Sequence, residues 1–203
     1  MIVAFSGADG CGKTSLIEAC IHRYRGFRYY HGKSPAGVTI EARYDLTKDL
    51  LEECRKRYIN VFVDRYFVDE LIYGARKRGG TKISREKFDG YADAVDVQVI
   101  CCAGTPEQQI EHFNELRQIR EEKFNDISDV VQDFYKFKDD FVFRSDIGDI
   151  KEYNVGEKVP CIVYDYTTDP DYIEFFKQLD KLFINLASCV IDMETMACQK
   201  SQF

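Results

Sequence analysis

Residues 1–16 read MIVAFSGADGCGKTSL, and the fold of the chain is decided in this stretch. Residues 7–14 match the pattern G-x-x-x-x-G-K-[ST] at every fixed position. The apolar run of residues 2–5 before the pattern is typical of a buried strand. Apolar residues after it recur at helical spacing, at Leu16, Ile17, Cys20, Ile21 and Tyr24. A strand, a glycine loop and a helix in this order are the context in which the pattern binds phosphate.

The residue types of this loop suit a nucleoside triphosphate. Glycines let the backbone turn so that several N–H groups point at phosphate oxygens, and the following helix adds the positive end of its dipole. Lys13 would reach the β- and γ-phosphates, and the Thr14 hydroxyl would ligate Mg²⁺. An ordinary glycine-rich turn is the alternative, and the flanking strand and helix disfavour it. We therefore expect ATP and Mg²⁺ at a loop made of Gly7, Asp9, Gly10, Cys11, Gly12, Lys13, Thr14 and Ser15.

Length and composition indicate one globular domain over residues 1–203. Apolar residues make up 45% and aromatic residues 14% of the chain, which is enough to build a sizeable core. The formal net charge is −7, and such an acidic chain is a poor candidate for coating nucleic acid non-specifically. We expect small nucleotides as partners and no nucleic acid.

Cysteine usage and hydropathy bear on the compartment. The eight cysteines show neither paired C-x-x-C units nor the framework of a small secreted domain. The first apolar stretch is too short for a signal peptide, and no run approaches the length of a membrane span. These features predict a cytoplasmic protein with no membrane partner.

Five apolar runs alternate with helical patterns along the chain. The runs predicted as strands are residues 2–5, 27–31, 60–64, 97–103 and 161–164. A helix is predicted over residues 39–58, with Leu46, Leu50, Leu51 and Cys54 on its buried stripe. Residues 139–158 are polar and broken by glycines, and they fit both a loop and a small hairpin. The alternation predicts an α/β fold of three layers, in which helices flank a five-stranded parallel sheet on both faces.

Charged residues follow the third predicted strand, at the end of a parallel sheet where ligands collect. Asp64 would hold Mg²⁺ through water or accept a proton from an attacking hydroxyl. Arg65 would bind an anionic acceptor through its planar guanidinium. A buried Asp–Arg pair that only ties the sheet to a helix is the structural alternative.

Two stretches resemble the thymidylate kinase family of P-loop nucleoside monophosphate kinases. Residues 6–15 read SGADGCGKTS and are similar to the family's F-x-G-x-D-G-x-G-K-T-[ST] loop. Residues 61–79 read VFVDRYFVDELIYGARKRG and are similar to its D-R-Y…A-Y-Q-G-x-x-R stretch. The likeness continues through DVQVI at 96–100, TPE at 105–107 and RQIRE at 117–121. It implies the P-loop kinase fold, transfer of the γ-phosphate of ATP to a deoxynucleoside monophosphate (dTMP or another), and a homodimer.

The resemblance also implies roles for residues on the acceptor side. Asp9 falls on the loop carboxylate that approaches the acceptor sugar in the family. Arg43 and Arg65 correspond to arginines that bind the acceptor monophosphate. Tyr73 lies on the tyrosine that packs beneath the sugar, and Arg78 matches the arginine that closes that stretch.

A lid around residues 116–125 follows from the same resemblance. Gly10 stands where some members carry a catalytic arginine, so the charge on the transferring phosphoryl group would come from Arg117 or Arg120. A solvated helix face with internal ion pairs is the alternative for this segment. Residues 167–169, after the last predicted strand, would lie near the adenine of ATP.

Three departures from the family pattern leave the acceptor base open. Ser6 replaces the usual Glu before the loop, residues 31–37 (HGKSPAG) lack the R-E-P signature, and Gly74 stands where a base-contacting Gln often lies. A deoxynucleoside kinase is an alternative, with Asp64 as the base for a 5′-hydroxyl. A nucleotide-binding regulator is a further alternative, although the chain has no N-K-x-D guanine signature.

Overall fold

The structure is a computed structural model that describes residues 1–32, 37–78, 80, 83–120, 142–147 and 150–200. Its strands are β1 (Ile2–Gly7), β2 (Phe27–His31), β3 (Asn60–Asp64), β4 (Val97–Cys102), β5 (Val142–Ile147), β6 (Ile150–Asn154) and β7 (Cys161–Asp165). Its helices are α1 (Lys13–Arg23), α2 (Ile40–Lys56), α3 (Phe67–Lys77), α4 (Arg85–Asp93), α5 (Pro106–Arg120) and α6 (Ile173–Lys200). A single 3₁₀ turn covers Val155–Glu157.

Five strands form one parallel sheet in the order β2-β3-β1-β4-β7, which confirms the predicted fold class. The chain fills one side of β1 first and then crosses to the other side between β3 and β4. The carboxyl ends of β1, β3 and β4 therefore adjoin the switch point of the sheet, where ligands bind in folds of this kind. The loop predicted to bind phosphate, residues 7–15, follows β1 at this point and is called the phosphate loop below.

Apolar side chains cover both faces of the sheet, as a three-layer architecture requires. On one face, residues of β1, β3, α1 and α6 pack together, among them Phe5, Phe62, Leu16 and Leu179. On the other face, α2, α3 and α4 cover Ala4, Val63 and their neighbours. Each large side chain that is fully buried here stabilises the fold by roughly 1.5–3 kcal/mol.

The buried stripe predicted for α2 is right for Leu51 and Cys54 and wrong for Leu46 and Leu50. Leu46 and Leu50 are 59% and 40% exposed, whereas Tyr44, Thr47 and Leu51 are buried. Tyr44 lies on the buried side because its ring packs against Tyr66 and Tyr91, with ring centroids 6.0 and 5.7 Å away. Aromatic contacts with neighbouring helices therefore decide which face of α2 is buried.

Residues 139–158 contain a hairpin, one of the two predicted alternatives. β5 and β6 pair antiparallel, with Val142 opposite Asn154, and form a two-stranded sheet apart from the main one. Tyr153 anchors the hairpin, since its buried ring packs against Phe67 and Phe88 and its hydroxyl donates to Asp89. Among the described residues, no helix has both the length and the apolar character needed to span a membrane.

Candidate active site

The phosphate loop runs from the end of β1 to the start of α1. Gly12 is the N-cap of α1 and has φ +78°, a left-handed backbone conformation that residues with a Cβ rarely adopt. The first turn of α1, which is described throughout, carries no acidic residue. Its free N–H groups and the positive end of its dipole therefore face the loop without a competing carboxylate, an arrangement that suits an anion.

Gly7 is required by a close approach of two chain segments. A Cβ at this position would lie 2.4 Å from the carbonyl oxygen of Cys101 and 2.6 Å from the sulfur of Cys11. The contact arises because Gly7 is in register with Cys101 across β1 and β4. The first glycine of the pattern thus lets the loop turn directly against the neighbouring strand.

Lys13 carries its charge inside the loop. Its side chain is only 7% exposed, and Nζ donates to the carbonyl oxygens of Gly7 at 2.9 Å and Ala8 at 2.7 Å. Thr14 and Ser15 follow on the exposed side of α1. An ammonium held by loop carbonyls and an accessible hydroxyl are the groups that a phosphate–Mg²⁺ pair needs.

The thiol of Cys11 lies next to this ammonium. Lys13 Nζ is 3.5 Å from the Cys11 sulfur. Burial by itself raises the pKa of Cys11, but a hydrogen bond from Cys101 and the charge of Lys13 outweigh it and lower the pKa to about 7. The pKa of Cys101 is raised, first by its burial and then by this hydrogen bond, so Cys101 keeps its proton.

Asp64 lies at the end of β3, in register with Phe5 of β1. Its Oδ2 accepts a hydrogen bond from the Tyr29 hydroxyl at 3.1 Å and lies 2.9 Å from Nδ1 of His31. Its Oδ1 is buried and has no hydrogen-bond partner among the described residues. A buried carboxylate oxygen without a partner fits a water ligand of Mg²⁺ or a substrate hydroxyl.

The side chains near the phosphate loop fit Mg²⁺ better than a cation that needs many protein ligands. Among the described residues, no group of three His, Cys, Asp or Glu side chains could hold a metal ion. Mg²⁺ commonly keeps several waters and takes only one or two protein ligands besides substrate phosphates. Thr14 and Asp64 are compatible with that mode of binding.

Arg65 joins the phosphate loop to α3. Its guanidinium contacts the carboxylate of Asp9, donates to Asp69 at 3.1 Å, and lies 5.6 Å from the ring centroid of Tyr73. Its backbone has φ +66°, which is strained for a residue with a side chain, and its N–H donates to the Phe5 carbonyl at 3.0 Å. The strand end therefore holds Arg65 in an uncommon conformation that brings Asp9, Asp69 and Tyr73 together.

Asp69 belongs to the site and was not predicted from the sequence. It is 3% exposed, and its Oδ2 accepts hydrogen bonds from the Ser6 hydroxyl at 2.9 Å and from the Tyr66 N–H at 3.2 Å. Burial raises the pKa of Asp69, and the charge of Arg65 opposes that shift. The available signal was a carboxylate in the first turn of α3, where the free N–H groups and the helix dipole favour one.

Arg43 and Arg78 approach the same region from α2 and the end of α3. Arg43 donates to the Tyr44 hydroxyl at 2.6 Å, and the guanidinium of Arg78 contacts the buried carboxylate of Glu70. Burial raises the pKa of Tyr44, and the charges that act on this residue come from Arg43, Asp69, Glu70 and Arg78. We call Arg43, Arg65 and Arg78 the arginine cluster.

The loop after β7 lies beside the phosphate loop. Tyr166 Cδ1 would be 3.6 Å from a Cβ at Gly12, and Thr167 Oγ1 accepts a hydrogen bond from the Gly104 N–H at 3.1 Å. Asp169 has a structural role instead, because its carboxylate accepts hydrogen bonds from the N–H groups of Glu174 and Phe175 at the start of α6. Tyr166 thus adjoins the end of the loop at which α1 begins, and residues 167–169 follow it in the chain.

Two predicted groups lie partly or wholly outside the described residues. Arg117 and Arg120 belong to the last turns of α5, where the description covers the backbone alone. Half of the predicted lid, residues 121–125, lies outside the described residues. The lid therefore stays a prediction.

Gln109 was missed by the sequence analysis. It lies on α5, is fully buried, and its Nε2 donates to the Asp9 carbonyl oxygen at 2.6 Å. The sequence offered no pattern for it, because the contact joins residues 100 positions apart.

Comparisons with known proteins bear on the fold. No family model matches the chain, and no curated protein matches it. Among solved structures, the YorR protein from Bacillus subtilis in complex with phosphorylated GDP is similar, with a TM-score of 0.51 and 14% identity over 89% of this chain and 98% of that one. At that identity the likeness concerns the fold alone.

Two further solved structures have lower TM-scores and carry no argument. They are deoxyadenosine kinase from M. mycoides (TM-score 0.46, 12% identity, 93% of this chain and 100% of that one) and thymidylate kinase from Ehrlichia chaffeensis (0.37, 16%, 67% and 96%). The chain has an α/β fold with a five-stranded parallel sheet flanked by helices.

Proposed function

We propose that the chain is a phosphotransferase that moves the γ-phosphate of ATP to a deoxynucleoside monophosphate. The observation that carries this proposal is the contact between Asp9 of the phosphate loop and Arg65 at the end of β3. Through it, a loop suited to a triphosphate adjoins a cluster of arginines suited to a second phosphate. Donor and acceptor would therefore meet at the carboxyl ends of β1 and β3.

On the donor side, Lys13 and the loop N–H groups bind the phosphates of ATP. Thr14 and Asp64 hold Mg²⁺, which when bound neutralises charge that develops on the phosphates. Lys13 is positioned for this because its ammonium already lies inside the loop, within hydrogen-bond distance of two carbonyl oxygens. Replacing those carbonyls by phosphate oxygens requires only a short movement of one amine.

On the acceptor side, Arg43, Arg65 and Arg78 orient the monophosphate. Its attacking oxygen is already anionic at neutral pH, so no strong general base is needed. A bond forms between that oxygen and the γ-phosphorus, the bond to the β–γ bridging oxygen breaks, and ADP leaves. Catalysis then consists of positioning by the arginines and neutralisation of charge by Lys13 and the proposed lid arginines.

A deoxynucleoside kinase is a second candidate, and a specific observation favours it. Arg65 contacts the carboxylates of Asp9 and Asp69, and Arg78 contacts Glu70, so much of the cluster's positive charge is already compensated. Such a compensated cluster would also accommodate a neutral sugar hydroxyl. Asp64 would then accept the proton of the 5′-hydroxyl through its Oδ1, which has no partner among the described residues.

An ADP-release assay over a panel of nucleosides and nucleoside monophosphates tests the proposal. Turnover of at least one deoxynucleoside monophosphate is the expected result. Turnover of nucleosides alone would overturn it in favour of the second candidate. ATP binding without turnover of any acceptor would instead indicate a nucleotide-binding regulator.

A pair of arginine variants makes the panel sharper. Arg43→Gln removes one charge of the cluster and should raise the KM for the monophosphate about tenfold or more, with little change in the KM for ATP. Arg28→Gln, at an exposed position of β2, is the matched control and should change neither constant. If the preferred acceptor were a nucleoside, Arg43→Gln would affect its KM far less.

A further inference from the structure

A buried glutamine of α5 holds the phosphate loop by its backbone. Gln109 is fully buried, and its Nε2 donates to the carbonyl oxygen of Asp9 at 2.6 Å. Its other polar atom, Oε1, is buried without a hydrogen-bond partner among the described residues. Among the described residues, the side-chain amide of Gln109 therefore makes a single hydrogen bond, and its acceptor is Asp9 of the phosphate loop.

Burying such an amide makes the free energy of folding less favourable. A buried polar group that lacks a partner destabilises a fold, and an apolar side chain of similar shape would pack here without that loss. The stability of α5 therefore gives no reason for a glutamine at this position. The hydrogen bond to Asp9 is the feature that only the amide provides.

The bond fixes the direction of one peptide group. In a planar trans peptide the C=O and the following N–H point in opposite directions, and the structure has no cis peptide bond among its described residues. Because the Asp9 carbonyl points at Gln109, the N–H of Gly10 points away from α5. Gly10 itself has φ +76°, so this peptide lies at a sharp bend where several orientations would otherwise compete.

α5 also limits what can stand at position 10. A Cβ at Gly10 would lie 3.1 Å from Gln109 Nε2 and 3.6 Å from Phe113. A longer side chain at position 10 would therefore displace the amide of Gln109 from Asp9. The glycine and the glutamine fit each other as a pair.

We propose that Gln109 is a positioning residue, which aims the Gly10 N–H into the phosphate loop by holding the Asp9 carbonyl and so strengthens the binding of ATP. The inference rests on the proposed nucleotide site. Gln109 touches no substrate itself, because its side chain is fully buried beneath the loop. The same bond also steadies Asp9, whose carboxylate contacts Arg65.

The experiment compares two buried glutamines in the full-length protein. Gln109→Met keeps the approximate shape but removes the donor. Gln98→Met is the matched control, because Gln98 is also fully buried, has an Oε1 without a partner among the described residues, and its Nε2 donates to the carbonyl of its chain neighbour Val99. The measurements are the Kd for ATP with MgCl₂, the midpoint of thermal unfolding, and the amide resonance of Gly10.

Gln109→Met should weaken ATP binding about tenfold and shift the Gly10 amide resonance even without nucleotide, whereas Gln98→Met should do neither. Wild-type ATP affinity together with an unshifted Gly10 resonance in Gln109→Met would overturn the proposal. So would equal losses in both variants. If the wild-type protein does not bind ATP, the proposed function fails, while the Gly10 resonance still tests the positioning of the peptide.

A second variant covers the case in which Gln109→Met does not fold. Gln109→Glu can donate to the Asp9 carbonyl only when its carboxyl is protonated, and burial raises the pKa of such a group. Its ATP affinity relative to wild type should therefore recover as the pH is lowered. A ratio that stays constant with pH would contradict the proposed role of the donor.

Discussion

Lys13 has two roles that compete for the same amine. It ties the loop together through the carbonyls of Gly7 and Ala8, and in the proposed function it also binds the transferred phosphate. A variant at this position should therefore affect catalysis far more than stability.

We expect Lys13→Ala to lower kcat by a factor of about 10²–10³, the usual effect of removing one group that stabilises developing charge. Stability should fall by only about 1–2 kcal/mol, since the loop loses two ordinary hydrogen bonds. Kinetics and urea unfolding check both parts, and Lys177→Ala, which breaks an exposed pair with Glu174, should change neither. Unchanged turnover in a folded Lys13→Ala protein would refute the role.

The Cys11 thiol predicts a pH effect on stability. Its pKa is lowered to about 7 in the folded protein, against 9.0 for an unperturbed thiol, so the unfolded state binds more protons between these values. The free energy of unfolding of the wild type, relative to Cys11→Ser, should therefore rise as the pH increases from 7 to 9. Below pH 7 both states are protonated and the difference should level off.

Urea unfolding of both proteins at several pH values measures this effect. Cys20→Ser is the control: burial raises the pKa of Cys20 to about 12 in the folded protein, so the difference between wild type and this variant should stay flat or fall slightly toward pH 9 instead of rising. A pH-independent difference between wild type and Cys11→Ser would show that Lys13 and Cys101 do not stabilise the Cys11 thiolate.

Single residues also show where the sequence analysis reached its limit. Lys13, Asp64 and Arg65 were found because a motif or a strand end marks them. Asp69 and Gln109 act through partners that lie on other elements, Ser6 on β1 and Asp9 in the loop. The structure shows that both residues are buried and polar, and the sequence alone did not predict this.

At the scale of elements, the start of α5 decides where Gln109 lies. Thr105 and Gln108 form a reciprocal cap, since the Thr105 N–H donates to Gln108 Oε1 at 3.0 Å and the Gln108 N–H donates to Thr105 Oγ1 at 3.3 Å. Pro106 follows as the first helical residue, where its fixed φ favours the helix. This cap and the proline therefore set the register of α5.

Thr105→Ala should lower the free energy of unfolding by about 1 kcal/mol. The matched control is Ser84→Ala at the start of α4, where the cap is one-sided: Ser84 accepts from the Lys87 N–H at 3.4 Å, and a lysine replaces the Glu or Gln of a full capping box. Denaturant unfolding should show a smaller loss for Ser84→Ala. Equal losses would mean that the reciprocal bond of Gln108 adds nothing.

Element boundaries were predictable to within a few residues, and element faces were less so. The pattern in α2 identified a helix but favoured Leu46 and Leu50 over Tyr44 and Thr47 as buried residues. Leucine spacing alone cannot show that the rings of Tyr66, the N-cap of α3, and Tyr91 of α4 pack against Tyr44. Packing between helices thus determines which face of α2 is buried, and the apolar periodicity of its sequence does not.

For the whole molecule, the parallel sheet was predictable because its central strands are mostly apolar. Every residue of β1 and β4 is buried, as expected for strands covered on both faces. The order β2-β3-β1-β4-β7 could not be derived from composition. It matters for function because it brings the ends of β1 and β3 together, and with them Asp9 and Arg65.

Because ATP would bind the folded chain and not the unfolded one, the proposed function predicts that nucleotide binding stabilises the whole fold. At 100 times its Kd, ATP with Mg²⁺ should add about 2.7 kcal/mol to the free energy of unfolding. For a chain of this length that corresponds to a rise of roughly 5–10 °C in the midpoint of thermal unfolding. EDTA should remove most of the rise, because Thr14 and Asp64 would then bind no Mg²⁺ beside the phosphates, and Lys13→Ala should show little of it. An equal rise with and without EDTA would contradict the assignment of Thr14 and Asp64 to a metal site, whereas an equal rise in Lys13→Ala would place the nucleotide outside the loop.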